Sequence, residues 1–131
     1  MRRLLPALAV LLLAAPAAAR DAIPKDVAVP ELVNYLKTGG EDARKEACKR
    51  LRDRRDPSTI PAIGEVARKD ASVKVRVECI QTLEKMGANP AAAAFVREAA
   101  VQDPDKKVRE EALDSLQDVD PQGGGDVAAK A

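Results

Sequence analysis

ARKEACKRL at residues 43–51, VRVECIQTL at 75–83 and VREEALDSL at 108–116 are three copies of one pattern. In each, a small or β-branched residue precedes an arginine (Ala43-Arg44, Val75-Arg76, Val108-Arg109). A small residue follows the arginine three places on (Ala47, Cys79, Ala112), and a leucine seven places on (Leu51, Leu83, Leu116). Offsets of three and seven fall on one face at the 3.6-residue period, so each copy predicts a helix with one apolar stripe. Successive arginines stand 32 and 33 residues apart. A repeat period in the thirties is that of stacked helical units, none of which buries its apolar face alone. The expected fold class is all-α: an α-solenoid of three stacked helix pairs in a right-handed superhelix.

A second recurring signal marks the partner helices. Asp56-Pro57, Asn89-Pro90 and Asp120-Pro121 each place a capping side chain before a proline at the first helical position, where the missing amide costs nothing. Apolar stripes follow: Ile60, Ile63 and Val66 in one unit, and Phe95, Val96 and Ala99 in the next. The first unit uses Leu32, Val33 and Leu36. Ser72 and Asp105 are expected N-caps, and Gly87 a left-handed helix stop. Six helices are predicted near 31–37, 42–54, 58–69, 72–86, 91–102 and 105–118. They make repeats of about 31–55, 56–88 and 89–120, with residues 20–30 as a linker and 121–131 as a flexible Gly/Ala tail. The predicted core is Leu36, Ala47, Leu51, Ile63, Val66, Val75, Cys79, Leu83, Val96, Val108, Ala112 and Leu116.

The run DPSTIPAIGEVARKDASVKVRVECIQTLEKMG (56–87) resembles a HEAT repeat of the short kind first noted in phycobilisome lyases. It has the starting Asp-Pro, a second proline at Pro61, an aspartate in the turn (Asp70), then Val-Arg, a small residue and leucine. NPAAAAFVREAAVQDPDKKVREEALDSL (89–116) matches less fully, with asparagine first and no second proline. The first unit lacks Asp-Pro and has a shortened turn, Thr38-Gly39-Gly40. The resemblance implies that Arg44, Arg76 and Arg109 form a structural ladder with turn aspartates such as Asp70 and Asp103. A lyase's pigment chemistry does not come with the repeat pattern, because a fold hosts many functions.

Residues 1–19 have a short cationic start (Arg2, Arg3), an apolar run of about a dozen residues and the small-residue ending Ala17-Ala18-Ala19. That is the layout of a secretory signal peptide, too short for a span of roughly 20 residues. Export, to a bacterial periplasm, is the expectation. Without those residues the chain holds 20 basic and 21 acidic side chains, a formal charge of −1. Nucleic-acid binding demands a basic excess that this balance does not supply. Export also permits a disulfide between Cys48 and Cys79; the alternative is two small buried side chains standing in for alanine.

The chain contains no histidine, the commonest general base and metal ligand. Two cysteines do not complete a four-ligand zinc site, and no glycine-rich phosphate loop is present. No catalytic residue, metal or cofactor is therefore expected. The expected role is protein–protein interaction through the concave face of the second helices, as monomer or weak homo-oligomer; self-assembly through the solenoid ends and membership of a larger envelope complex are the alternatives. Exposed positions on that face run from basic (Lys45, Lys49, Arg52) through Val77, Gln81 and Glu84 to acidic (Glu110, Asp114) beside Gln117. The candidate partner-binding residues are Lys45, Lys49, Arg52, Gln81, Glu110 and Asp114.

Overall fold

The computed structural model describes residues 22–121; the predicted signal peptide and all but the first residue of the predicted tail lie outside them. Among the described residues there are six α-helices and no strand: α1 (Val29–Thr38), α2 (Glu41–Arg54), α3 (Ile60–Lys69), α4 (Val73–Glu84), α5 (Pro90–Gln102) and α6 (Lys106–Val119). Each odd helix pairs with the even helix that follows. Across the pairs, α4 packs between α2 and α6, and α3 between α1 and α5. The result is two layers of three helices, the stack that the repeat period predicts. Among the described residues no helix is long and apolar enough to cross a membrane.

Local chemistry explains most helix ends. Asn89 accepts the amides of Ala91 and Ala92, Ser72 that of Val75, and Asp105 those of Lys107 and Val108. These side chains satisfy donors that the first helical turn leaves unpaired. Asp56 starts one 3-10 turn, Pro57–Thr59, which leads into α3. The Ser58 hydroxyl donates to Asp56 Oδ1 at 2.7 Å and the Ser58 amide at 2.9 Å. These two bonds hold the Asp56 carboxyl below its ordinary range. The cap is therefore ionised at neutral pH and is lost only as pH falls through the lowered value. Helix α4 ends at Glu84, two residues before its predicted limit, in a tighter turn that closes on Gly87 at φ +74°. Helix α2 ends on Arg55, also left-handed at φ 50°.

The buried core runs the length of the stack: Leu32, Leu36, Ala47, Leu51, Ile60, Ile63, Val75, Cys79, Ile80, Leu83, Val96, Val108, Ala112 and Leu116. Of the predicted core only Val66 is misplaced, being partly buried. At about 100° per residue, position 66 has rotated well off the face that Ile60 and Ile63 share, and Ala67 takes its place in the core. Val66 instead borders a groove with Val29 and Val33 between α1 and α3. Gly64 of α3 packs directly against Phe95 of α5. A Cβ there would lie 2.3 Å from the Phe95 ring.

The predicted linker is in part structure. Val27 is buried, and Arg54 donates to its carbonyl at 2.7 Å. Arg50 donates to the carbonyls of Pro24 and Ile23. Residues 23–27 thus lie along α2 and cover the N-terminal edge of the stack.

Candidate functional site: the second-helix layer

The three repeat arginines are joined to the turns between helices. Arg44 forks onto Asp70, Nε to Oδ2 at 2.7 Å and Nη2 to Oδ1 at 2.9 Å, while Nη1 reaches the Gly39 carbonyl at 3.0 Å. Arg76 repeats this one unit later. Its Nε and Nη2 bind Asp103 at 2.9 and 3.1 Å, and Nη1 binds the Asp70 carbonyl at 2.7 Å. Each aspartate also accepts the amide two residues ahead, Ser72 for Asp70 and Asp105 for Asp103. One side chain thereby fixes its own turn and holds the preceding repeat. The bidentate match of guanidinium to carboxylate supplies direction as well as charge. Arg109 keeps the turn carbonyls, Asp103 at 2.8 Å and Pro104 at 3.1 Å. Among the described residues no carboxylate pairs with it.

A disulfide between Cys48 and Cys79 adds a covalent tie between α2 and α4, with Cα atoms 5.4 Å apart. Both residues are fully buried. Beside them the Thr82 hydroxyl donates to the Cys48 carbonyl at 2.7 Å, so α2 and α4 are held by a covalent and a polar contact at one level.

The six candidate binding residues do not form one cluster. Arg52, expected on the open face, is turned into the stack. Its Nη2 meets Glu78 Oε2 at 2.6 Å and the Glu78 carbonyl at 3.2 Å. Gln81 donates to Glu111 at 3.2 Å. Its neighbour Glu84 accepts the Ser115 hydroxyl at 2.8 Å. These side chains bind the next second helix instead of facing outward, because helices this close leave their flanking positions within reach of each other. Glu110 is exposed and meets Lys106 at 3.7 Å, while Lys49 and Asp114 are exposed. Lys45 is half-buried and lines a groove with Val73, Lys74, Val77, Glu78 and Lys107.

Sequence reasoning missed Lys74 and Lys107. They stand two places before their arginines, whereas Lys45 stands one place after its own. The stagger between neighbouring helices brings these unlike repeat positions to one groove. Among the described residues no group of three or more His, Cys, Asp or Glu is placed to hold a metal ion. The layer offers polar side chains, a groove, and a spacing between helices held by the arginine ladder and the disulfide.

A comparison with protein families matches residues 29–117 to HEAT repeats. No curated protein matches the chain.

Proposed function

Given that the chain belongs to the HEAT-repeat family, we propose that it is a non-catalytic scaffold that binds a protein partner through its second-helix layer, outside the cytoplasm. The observation that carries this reading is the contrast between what is fixed and what is left open in that layer. Arg44–Asp70, Arg76–Asp103 and the Cys48–Cys79 bridge fix the spacing of α2, α4 and α6. The groove at Val73 and Val77 lies open on the same layer. A surface held rigid before binding loses little freedom on binding, which favours affinity. The signal-like N-terminus and the disulfide both suit an oxidising, exported setting.

Assembly through the stack ends has two observations in its favour. Among the described residues no carboxylate pairs with Arg109, and Val101 on α5 is 51% exposed. Two observations weigh against self-stacking. The opposite edge is covered by residues 23–27, and the first turn carries Gly39 where the ladder has Asp70 and Asp103.

A photo-crosslinking residue placed at Val77, at Ala62 on α3 or at Val101 tests the reading in the producing cells. The reading requires one defined partner to be captured from Val77 and not from Ala62. Capture confined to Ala62 counts against it, and capture of a second copy of the chain from Val101 alone establishes end-to-end assembly instead.

A further inference from the structure

Three lysines, one from each second helix, converge on the groove in this layer. Lys45 of α2, Lys74 of α4 and Lys107 of α6 line a space of about 170 Å³ together with Val73, Val77 and Glu78. No acidic partner holds any of the three lysines among the described residues. Glu78, the groove's own acid, is already taken by Arg52 at 2.6 Å. The groove is therefore positively charged although the whole chain is close to neutral.

Two of the lysines also stand where the helix itself gains nothing from a cation. Lys74 is the second residue of α4 and Lys107 the second of α6, at the positive ends of helices of 12 and 14 residues. A cation there opposes the helix dipole. Its field adds to that of the helix end, and an anion arriving in the groove meets both. The repeat pattern does not demand lysine, because the position of Lys74 and Lys107 is occupied by Asp42 in the first repeat.

We propose that this groove binds an extended acidic peptide segment of the partner, with carboxylates about three residues apart and an apolar residue between them. This rests on the scaffold reading above and names the chemistry of its ligand. Packed helices lie roughly 8–10 Å apart. A chain in the polyproline II conformation advances about 3.1 Å per residue with three residues per turn, so every third side chain returns to the same face and keeps pace with successive lysines. Val73 and Val77, half-buried on α4, give the apolar residue a seat. A uniform polyanion fits less well, because Glu110 and Asp114 on α6 lie in the same layer and repel continuous negative charge. A peptide places its charges at intervals and leaves those positions clear.

The test measures fluorescence anisotropy of labelled nine-residue peptides with the purified chain. One peptide carries glutamate at positions one, four and seven with valine between. The second has glutamine, and the third lysine, at those positions. Inorganic polyphosphate serves as competitor. The glutamate peptide is expected to bind at least tenfold more tightly than the glutamine peptide, and more weakly as salt rises. The triple variant Lys45→Gln, Lys74→Gln, Lys107→Gln is expected to lose at least tenfold, with helicity and thermal midpoint retained. Lys49→Gln, on the same helix as Lys45 but outside the groove, is expected to change binding less than twofold. Equal binding of the glutamate and glutamine peptides, or no effect of the triple variant, overturns the proposal. So does an effect of Lys49→Gln as large as that of a groove lysine, or polyphosphate binding more tightly than the glutamate peptide. Tightest binding by the glutamine or lysine peptide, abolished by Val77→Glu, overturns the acidic ligand while leaving the second-helix layer as the binding face. Loss of that broader reading requires the crosslinks from Val77 to fail as well.

Discussion

Arg76 and Arg109 occupy the same place in successive repeats, yet their surroundings differ sharply. The Arg76 side chain is 9% exposed and its partner Asp103 3%, while the hydrogen bonds of Arg109 among the described residues go to turn carbonyls. Lysine cannot reproduce a two-pronged contact. Arg76→Lys is therefore expected to cost about 1.5–3 kcal/mol, the range for hydrogen bonds to charged groups. Arg109→Lys should stay within about 0.5 kcal/mol, as expected for a surface change. Urea denaturation of the two variants checks this, and equal losses would show that the carboxylate adds nothing to the rung. Gly64 gives a second residue-level outcome. Alanine is the better helix former, so an exposed Gly→Ala change in a helix stabilises. Here the new methyl meets the Phe95 ring, and the expected outcome is a net loss of about 1–3 kcal/mol from overpacking. A raised thermal midpoint for Gly64→Ala would mean that the ring moves aside freely. The arginines were legible in the sequence as a recurring pattern, and their aspartate partners only through the family resemblance. Nothing local marks Gly64 as a contact point, because the approach of α3 to α5 is decided by the stack.

The helices began largely where the sequence predicts because capping is local chemistry. Asn89, Ser72 and Asp105 lie next to the amides they accept. Helix α2 ends at Arg54 as the sequence predicts, but the residue that stops it was not legible. Asp53-Arg54-Arg55 contains no glycine, and yet Arg55 adopts the left-handed conformation. Glycine populates that region without steric penalty. Arg55→Gly should therefore be neutral or stabilising by up to about 1 kcal/mol, read as a raised urea midpoint; a clear loss would show that the Arg55 side chain holds something in place. Between elements, the Cys48–Cys79 bridge joins α2 to α4 across 31 residues of sequence. Loop closure of that size stabilises by about 2–4 kcal/mol. Reduced protein should unfold at correspondingly lower urea, and oxidised protein should show no free thiol before reduction. Sequence alone left the bridge open, since repeat alignment puts Cys48 one place past the small-residue position that Cys79 fills. Only the offset between α2 and α4 brings their Cα atoms within range.

Across the whole molecule, the repeat period was enough to predict the two-layered stack, and the composition was enough to shift attention from chemistry to binding. The charge gradient along the second helices did not carry over as drawn. Arg52, Gln81 and Glu84 are used between repeats, and the open charge gathers at Lys45, Lys74 and Lys107 instead. A linear reading compares equivalent positions, while the groove combines positions that are not equivalent. What the stack holds out to a partner is thus decided by inter-helix stagger, and it is tested by labelling the lysines themselves. Amine acetylation with and without the crosslinked partner, read residue by residue by mass spectrometry, compares the two layers in one experiment. Binding in the groove is expected to make Lys45, Lys74 and Lys107 slow to label in the complex while Lys37 on α1 and Lys69 on α3 keep their free rates. Protection of Lys37 and Lys69 with unchanged labelling of the three groove lysines would contradict it.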